Sequence, residues 1–255
     1  MNIVFVGAGR LATNLALALS QHGHRILAIY SRTMSSAEEL ANKVGTMATD
    51  DLNALPLKAD AFIMSVKDAV LEELLLRLEN GREDIPFFHT AGSMPMAIFG
   101  KHHHHGVIYP MQTFSKERLV DFSCVPFFIE ANDDETLHLA EIITSSISSH
   151  IYHLSSEERR YLHLSAVFAC NFANHCYALS AEILRQHGLP FEVMLPLINE
   201  TAQKVNAMHP VDAQTGPAVR FDENVINAQK NLLSDNPMMQ QIYELMSKSI
   251  HLLAK

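Results

Sequence analysis

Residues 2–12 read Asn2-Ile3-Val4-Phe5-Val6-Gly7-Ala8-Gly9-Arg10-Leu11-Ala12. A short apolar strand runs directly into Gly7-Ala8-Gly9-Arg10-Leu11-Ala12, which fits the pattern GxGxxG/A. A helix with apolar periodicity opens at once and extends to about Gln21, with Gly23 just beyond it. The placement carries more weight than the pattern. A strand, a tight turn and a helix start bring backbone amides and the positive end of the helix dipole to one point, where a pyrophosphate can sit. On this reading Gly7 permits the turn and Gly9 lets the backbone approach the phosphates. Ala12 lets helix and strand pack closely, and Ala8, Arg10 and Leu11 supply the surrounding backbone. The competing reading is a tight turn with no ligand.

Working outward, the first half alternates apolar runs with helical patterns. Strands are expected at Arg25–Tyr30, Ala61–Val66, Pro86–His89, Gly106–Tyr109, Val125–Glu130 and near Ile151. Helices are expected from a cap at Ser35 or Ser36 to Val44, closed by Gly45, then over Asp68–Leu78 and Asp134–Ser146. This alternation predicts an α/β fold, a Rossmann doubly wound parallel sheet covered on both faces. After residue 153 the pattern changes. Ser155-Ser156-Glu157-Glu158 reads as a capping box that opens a helix to about His187. Further helices follow over Phe191–Met208, from Asp222 to about Leu233, and from Pro237 almost to the end. The expected organisation is a Rossmann domain over residues 1–153 and an all-α C-terminal domain over residues 154–255.

The second strand indicates which dinucleotide fits. It ends in Ser31-Arg32-Thr33, where an NAD site commonly places an acid for the ribose 2′-hydroxyl. A carboxylate would repel a 2′-phosphate, whereas Arg32 can pair with one bidentately and Ser31 and Thr33 offer hydroxyls. NADP(H) is the expected cofactor. Ligands of open parallel sheets bind beyond the carboxyl ends of the strands. Ser65, Val66 and Lys67 are therefore expected along the ribose and nicotinamide, and His89 near the reacting end.

Bulk properties narrow the partners. With 255 residues, 48% of them hydrophobic and 18% charged, the chain has an ordinary globular balance. A formal charge of −9 argues against nucleic acid, whose phosphates need a basic face. Cys124, Cys170 and Cys176 are too scattered for a disulfide framework or a CxxC metal site. No signal peptide is evident, and no apolar run approaches the roughly 20 residues of a membrane helix. The expectation is a cytoplasmic protein with no membrane partner and a small-molecule substrate. The run His102 to His105 is expected to be an exposed loop, with no native metal: adjacent side chains there lack a preorganised tetrahedral arrangement.

The Gly-Ala-Gly-Arg-Leu-Ala turn, the Ser31-Arg32-Thr33 strand end and the helical second half resemble the 6-phosphogluconate dehydrogenase-like superfamily. Within it the chain is similar to pyrroline-5-carboxylate reductase and to the deazaflavin-dependent NADP reductases. His89-Thr90-Ala91-Gly92, Tyr109-Pro110-Met111-Gln112-Thr113-Phe114, Ala166–Phe172, and Thr215-Gly216-Pro217 with Arg220 and Asp222 resemble a branch in which a Rossmann-like domain joins a helical domain of unknown function. The resemblance implies an active site between the domains and a homodimer through the helical domain. It also implies a helix-borne lysine and asparagine. Asn171 matches the asparagine, but Val167 stands where the lysine would be, which speaks against a hydroxyacid-dehydrogenase mechanism.

For chemistry, His89, Asn171, His175 and Gln112 are the catalytic candidates. Asn171 and His175 are four residues apart and share a helix face, with His163 on roughly the same face. Arg220 reads as a structural partner of Asp222. The sequence thus points to an oxidoreductase passing a hydride between NADPH and a small carbonyl or imine. The rival reading is a non-catalytic NADP(H)-binding sensor or partner-binding protein, motivated by Val167.

Overall fold

Ile3, Val4, Phe5 and Val6 have no solvent exposure at all, because their strand lies at the middle of the sheet. The structure, a computed structural model, describes residues 1–254. Strand β1 (Asn2–Val6) runs parallel to β2 (Arg25–Tyr30) on one side and to β4 (Ala61–Met64) on the other. Helix α1 (Arg10–Gln21) joins β1 to β2. It seals one face with Ala12, Leu15, Ala16 and Leu19, the i, i+3, i+4, i+7 spacing of an amphipathic helix. Helix α2 (Met34–Val44) follows β2 and ends at Gly45, whose φ of +69° suits a left-handed cap. The cap at its start is Thr33, so the expected Ser35 and Ser36 lie inside the first turn.

Strand β3 (Met47–Thr49) is too short to leave a periodic signal and was not expected. Beyond β4 come α3 (Asp68–Leu78), β5 (Phe87–His89), β6 (His105–Pro110), β7 (Phe127–Ala131), α4 (Asp134–Ser145) and β8 (Ile151–His153). The strand order is β3-β2-β1-β4-β5-β6-β7-β8. All neighbours are parallel except β6 and β7. The parallel sheet expected from the alternation is present, with β6 and β7 as its one antiparallel pair. Between β6 and β7 the chain makes only a 3-10 turn, Phe122–Cys124, with no crossover helix to bring the next strand back in parallel. Phe5, Phe62, Phe87, Phe88 and Phe127 are fully buried between the layers, each worth roughly 1.5–3 kcal/mol of hydrophobic stabilisation.

The chain divides into two compact units, Met1–Asn171 and Phe172 onward. The break falls within the long helical stretch rather than at 153/154. Helix α5 (Ser156–Ala166) opens on the expected capping box of Ser155 and Glu158 and belongs to the sheet unit. A π-helical segment, Val167–Phe172, leads to α6 (Ala173–Gln186). The helical unit continues with α7 (Leu195–Ala207), α8 (Pro210–Ala213), α9 (Pro217–Arg220), α10 (Glu223–Asn231) and α11 (Pro237–Leu253). Asp222 caps α10 by accepting from Val225 N. Among the described residues it forms no ion pair with Arg220, which corrects the expected pairing. No helix among the described residues is long and apolar enough to cross a membrane.

Candidate active site

The turn between β1 and α1 is built against its neighbours. Gly7 has φ +115°, and a Cβ there would overlap the Ser65 carbonyl and lie 2.7 Å from Ser65 C and 3.1 Å from Val66 Cγ1. Its N–H donates to Tyr30 O at 2.8 Å, while Ser65 N donates to Val6 O at 2.8 Å. The turn is thereby wedged between the ends of β2 and β4. Gly9 is the opposite case. It caps α1 with no side-chain hydrogen bond, and a Cβ placed on it would meet nothing within 4 Å. No acid occupies the first turn of α1. The amides of Arg10 and Leu11 therefore stand before open space at the positive end of a helix, beside the buried Ala8. A pyrophosphate fits this cradle.

At the end of β2, Ser31 N donates to Thr49 O, and Ser31 Oγ accepts from Thr33 N at 3.3 Å. Arg32 and Thr33 are exposed. Arg32 pairs with no carboxylate among the described residues. Its guanidinium is available to an anion.

The segment after β6 packs onto these helices through two residues that sequence reasoning missed. Asn14, nearly fully buried on α1, donates to Ser115 O at 2.8 Å and accepts from Val120 N at 2.8 Å. Lys116 Nζ lies 2.6 Å from Glu39 Oε2 on α2, and hydrogen bonds from Lys116 and then Lys43 hold the Glu39 carboxyl below its ordinary range. A buried asparagine in the apolar stripe of α1 was the one available signal. This segment carries Gln112, exposed, whose Oε1 accepts from Thr113 N.

Ser65 and Val66 are half-buried after β4, and Lys67 is exposed at the start of α3. The end of β5 departs from expectation. His89 is fully buried, its Nδ1 accepts from Ala91 N at 3.2 Å, and its ring stacks on Phe99 at 5.5 Å. Burial, aided by the Arg159 charge, pushes its pKa down to about 3. The ring is thus held neutral and braces the loop after β5, whereas the acid role expected of it calls for a charged, accessible imidazole.

Three other residues meet at this end of the sheet. The Tyr109 hydroxyl at the end of β6 is 3.1 Å from His163 Nδ1 on α5. Both rings press on Gly92, where a Cβ would lie 2.5 Å from His163 Nδ1 and 2.9 Å from Tyr109 Cζ. Burial raises the Tyr109 pKa, keeping the phenol protonated. Asn171 closes the sheet unit and His175 lies in the helical unit, both exposed. The π-helical segment between His163 and His175 has i→i+5 spacing, so the common face expected for His163, Asn171 and His175 on a plain α-helix is not maintained.

The histidine run is not an exposed loop. His102 and His105 are buried, and their rings bond to the Ile85 and His102 carbonyls at 2.8 Å each. His103 and His104 face outward and meet Asp84 and Asp133. The last histidine begins β6, and the aromatic partners Phe87 and Phe99 take the two buried rings into stacks.

Comparisons agree with this architecture. The family model described as NADP oxidoreductase coenzyme F420-dependent matches residues 2–85, and a domain of unknown function, DUF2520, matches residues 125–250. A solved Bacteroides fragilis protein assigned as an NADP oxidoreductase is 53% identical, with a TM-score of 0.95 over 98% of this chain and 97% of that one. Protein TM1727 from Thermotoga maritima is 25% identical, with a TM-score of 0.83 over 99% of each chain. An imine reductase from Myxococcus stipitatus in complex with NADP+ shares the fold at 15% identity, with a TM-score of 0.68 over 98% and 93% of the two chains. No curated protein matches. Identity above one half, sustained over nearly the whole of both chains, shows that this chain belongs to the NADP oxidoreductase family whose Rossmann-like domain is followed by a DUF2520 domain.

Proposed function

We propose that the protein is an NADPH-dependent reductase of a small carbonyl or imine. One observation carries the reading. The uncapped, open start of α1 at Gly9 adjoins a strand end where Arg32 is exposed, unpaired and free of any neighbouring acid in its Ser31-Arg32-Thr33 segment. Gly7, Ala8, Gly9, Arg10 and Leu11 would hold the pyrophosphate through backbone amides. Ser31, Arg32 and Thr33 would hold the 2′-phosphate, the group that separates NADPH from NADH. Ser65, Val66 and Lys67 would line the ribose and nicotinamide. When bound, the cofactor supplies the hydride. Gln112, Asn171 and His175 are the polar, exposed residues proposed for the substrate side.

A homodimer through the helical unit belongs to the same proposal. Leu197, Leu232, Met238, Leu245 and Leu252 are each more than 60% exposed, an apolar surface of the kind that oligomer interfaces cover. Light scattering at micromolar concentration checks it. Calorimetry with NADPH and NADH tests the cofactor assignment: tight NADPH binding with much weaker NADH binding is expected.

A second reading, a non-catalytic NADP(H) sensor, draws on Val167 and on the buried, neutral His89. Single-turnover oxidation of bound NADPH across a panel of ketones and imines separates the two. A silent panel with tight NADPH binding favours the sensor.

A further inference from the structure

We propose that His163 is the proton donor of this site and that Tyr109 positions it; the inference rests on the reductase reading above. The sheet order supplies the first argument. From β2, where Arg32 stands, the strands run β1, β4, β5, three spacings or about 14 Å. A dinucleotide with its 2′-phosphate on Arg32 and its pyrophosphate at Gly9 therefore brings its reacting end toward the ends of β5 and β6, where Gly92, Tyr109 and His163 meet.

Ring geometry supplies the second. Nδ1 of His163 is taken by the Tyr109 hydroxyl at 3.1 Å, and the absence of a side chain at Gly92 is what lets both rings lie there. Nε2 forms no hydrogen bond with any described residue, and the ring is half-buried. The atom left open to a ligand is the one whose proton can be given away.

The charged groups around the ring are few. Arg159 stands one turn earlier on α5 and is neutralised by Glu130 from β7. His89 of β5 is buried and neutral. Ser93, next to Gly92, donates to Asp68 at the start of α3. No carboxylate bonds to His163 itself among the described residues.

In the proposed step, imidazolium Nε2–H passes its proton to the substrate oxygen or imine nitrogen as the C=O or C=N π bond breaks and hydride arrives at carbon. His163 is left neutral as the tautomer that keeps its Nδ1 proton. The Tyr109 hydroxyl accepts from Nδ1–H before and after the transfer and so holds Nε2 toward the substrate, and water restores the Nε2 proton. The sum is C=O plus NADPH plus H+ giving CH–OH plus NADP+. This chemistry selects a ketone, an aldehyde or a neutral imine. A permanently charged iminium needs no donor.

The test uses the full chain with His163→Gln and Tyr109→Phe, reading NADPH binding by fluorescence and NADPH oxidation in single turnovers on neutral ketones and imines. Unchanged NADPH binding is expected in both variants. His163→Gln should lower the single-turnover rate by about 10²–10⁴-fold and abolish the alkaline fall in rate, while Tyr109→Phe should shift that fall. A rate within threefold of wild type for His163→Gln overturns this proposal and leaves the reductase reading standing. Loss of NADPH binding in His163→Gln also overturns it, by making the ring part of the cofactor seat. A wild-type chain that binds NADPH and reduces nothing overturns the reductase reading, and this inference with it.

Discussion

The Arg159 guanidinium lies 2.6 Å from Glu130 Oε2, with its side chain almost wholly enclosed. Its second nitrogen donates to the Met94 carbonyl at 2.7 Å. One side chain thereby holds α5 to β7 and to the loop after β5. Gly92 is two residues before Met94, and His163 is one helical turn beyond Arg159, so the same contact sets the distance between them. Nε of Arg159 has no partner, and the arrangement is costly to disturb.

Arg159→Ala should destabilise the chain by about 3–5 kcal/mol, the usual loss when one member of a buried pair is removed. Urea unfolding measures it. Arg159→Met with Glu130→Gln should recover part of that loss, because the orphaned charge is gone. A single variant as stable as wild type would contradict the anchoring role.

Arg32→Ala should weaken NADPH binding by roughly 10–100-fold, corresponding to about 1.5–3 kcal/mol for hydrogen bonds to a charged group. NADH binding should change by less than about twofold, since NADH has no 2′-phosphate. Equal losses for the two would remove Arg32 from the cofactor site.

Gly7 and Gly9 should respond oppositely to alanine. Gly9→Ala meets no protein atom within 4 Å, so stability should stay within about 0.5 kcal/mol while the affinity for both dinucleotides falls. Gly7→Ala places a methyl against the Ser65 carbonyl at a positive φ and should lower the melting temperature before any ligand is added. Thermal melts with and without NADPH distinguish the two outcomes.

His89 has a folded pKa of about 3 against 6.5 for an ordinary, solvent-exposed histidine. Below pH 6.5 the unfolded chain takes up a proton at this position that the folded chain refuses. Its contribution to stability is therefore complete above pH 6.5 and is lost as pH falls toward 3, at about 1.4 kcal/mol per pH unit. His89→Phe keeps an aromatic ring against Phe99 and should flatten the acid limb of a stability-versus-pH curve. An unchanged limb would mean that His89 is not the group responsible.

Much of the fold could be read from local order. The strand Asn2–Val6, the Gly7–Ala12 turn and the helix after it were legible because burial on both faces makes a central parallel strand continuously apolar, and because so tight a strand-to-helix turn needs a glycine at the positive φ of Gly7. The capping box at Ser155 and the Asp222 cap were legible for the same reason: each is an interaction within three residues. Strand β3 and the antiparallel β7 were not, since three residues carry no period and strand direction depends on the connecting chain.

The sequence alone determined the alternating first half, the helical second half, the glycine turn between β1 and α1 and the acid-free end of β2, all of which depend on residues close together in the chain. Tertiary structure alone decided that His89 is buried and neutral, that His102 and His105 turn inward, and that Tyr109 meets His163 across 54 positions. Burial and pairing are set by what the rest of the fold brings alongside, and a residue's own neighbours in sequence carry no record of it.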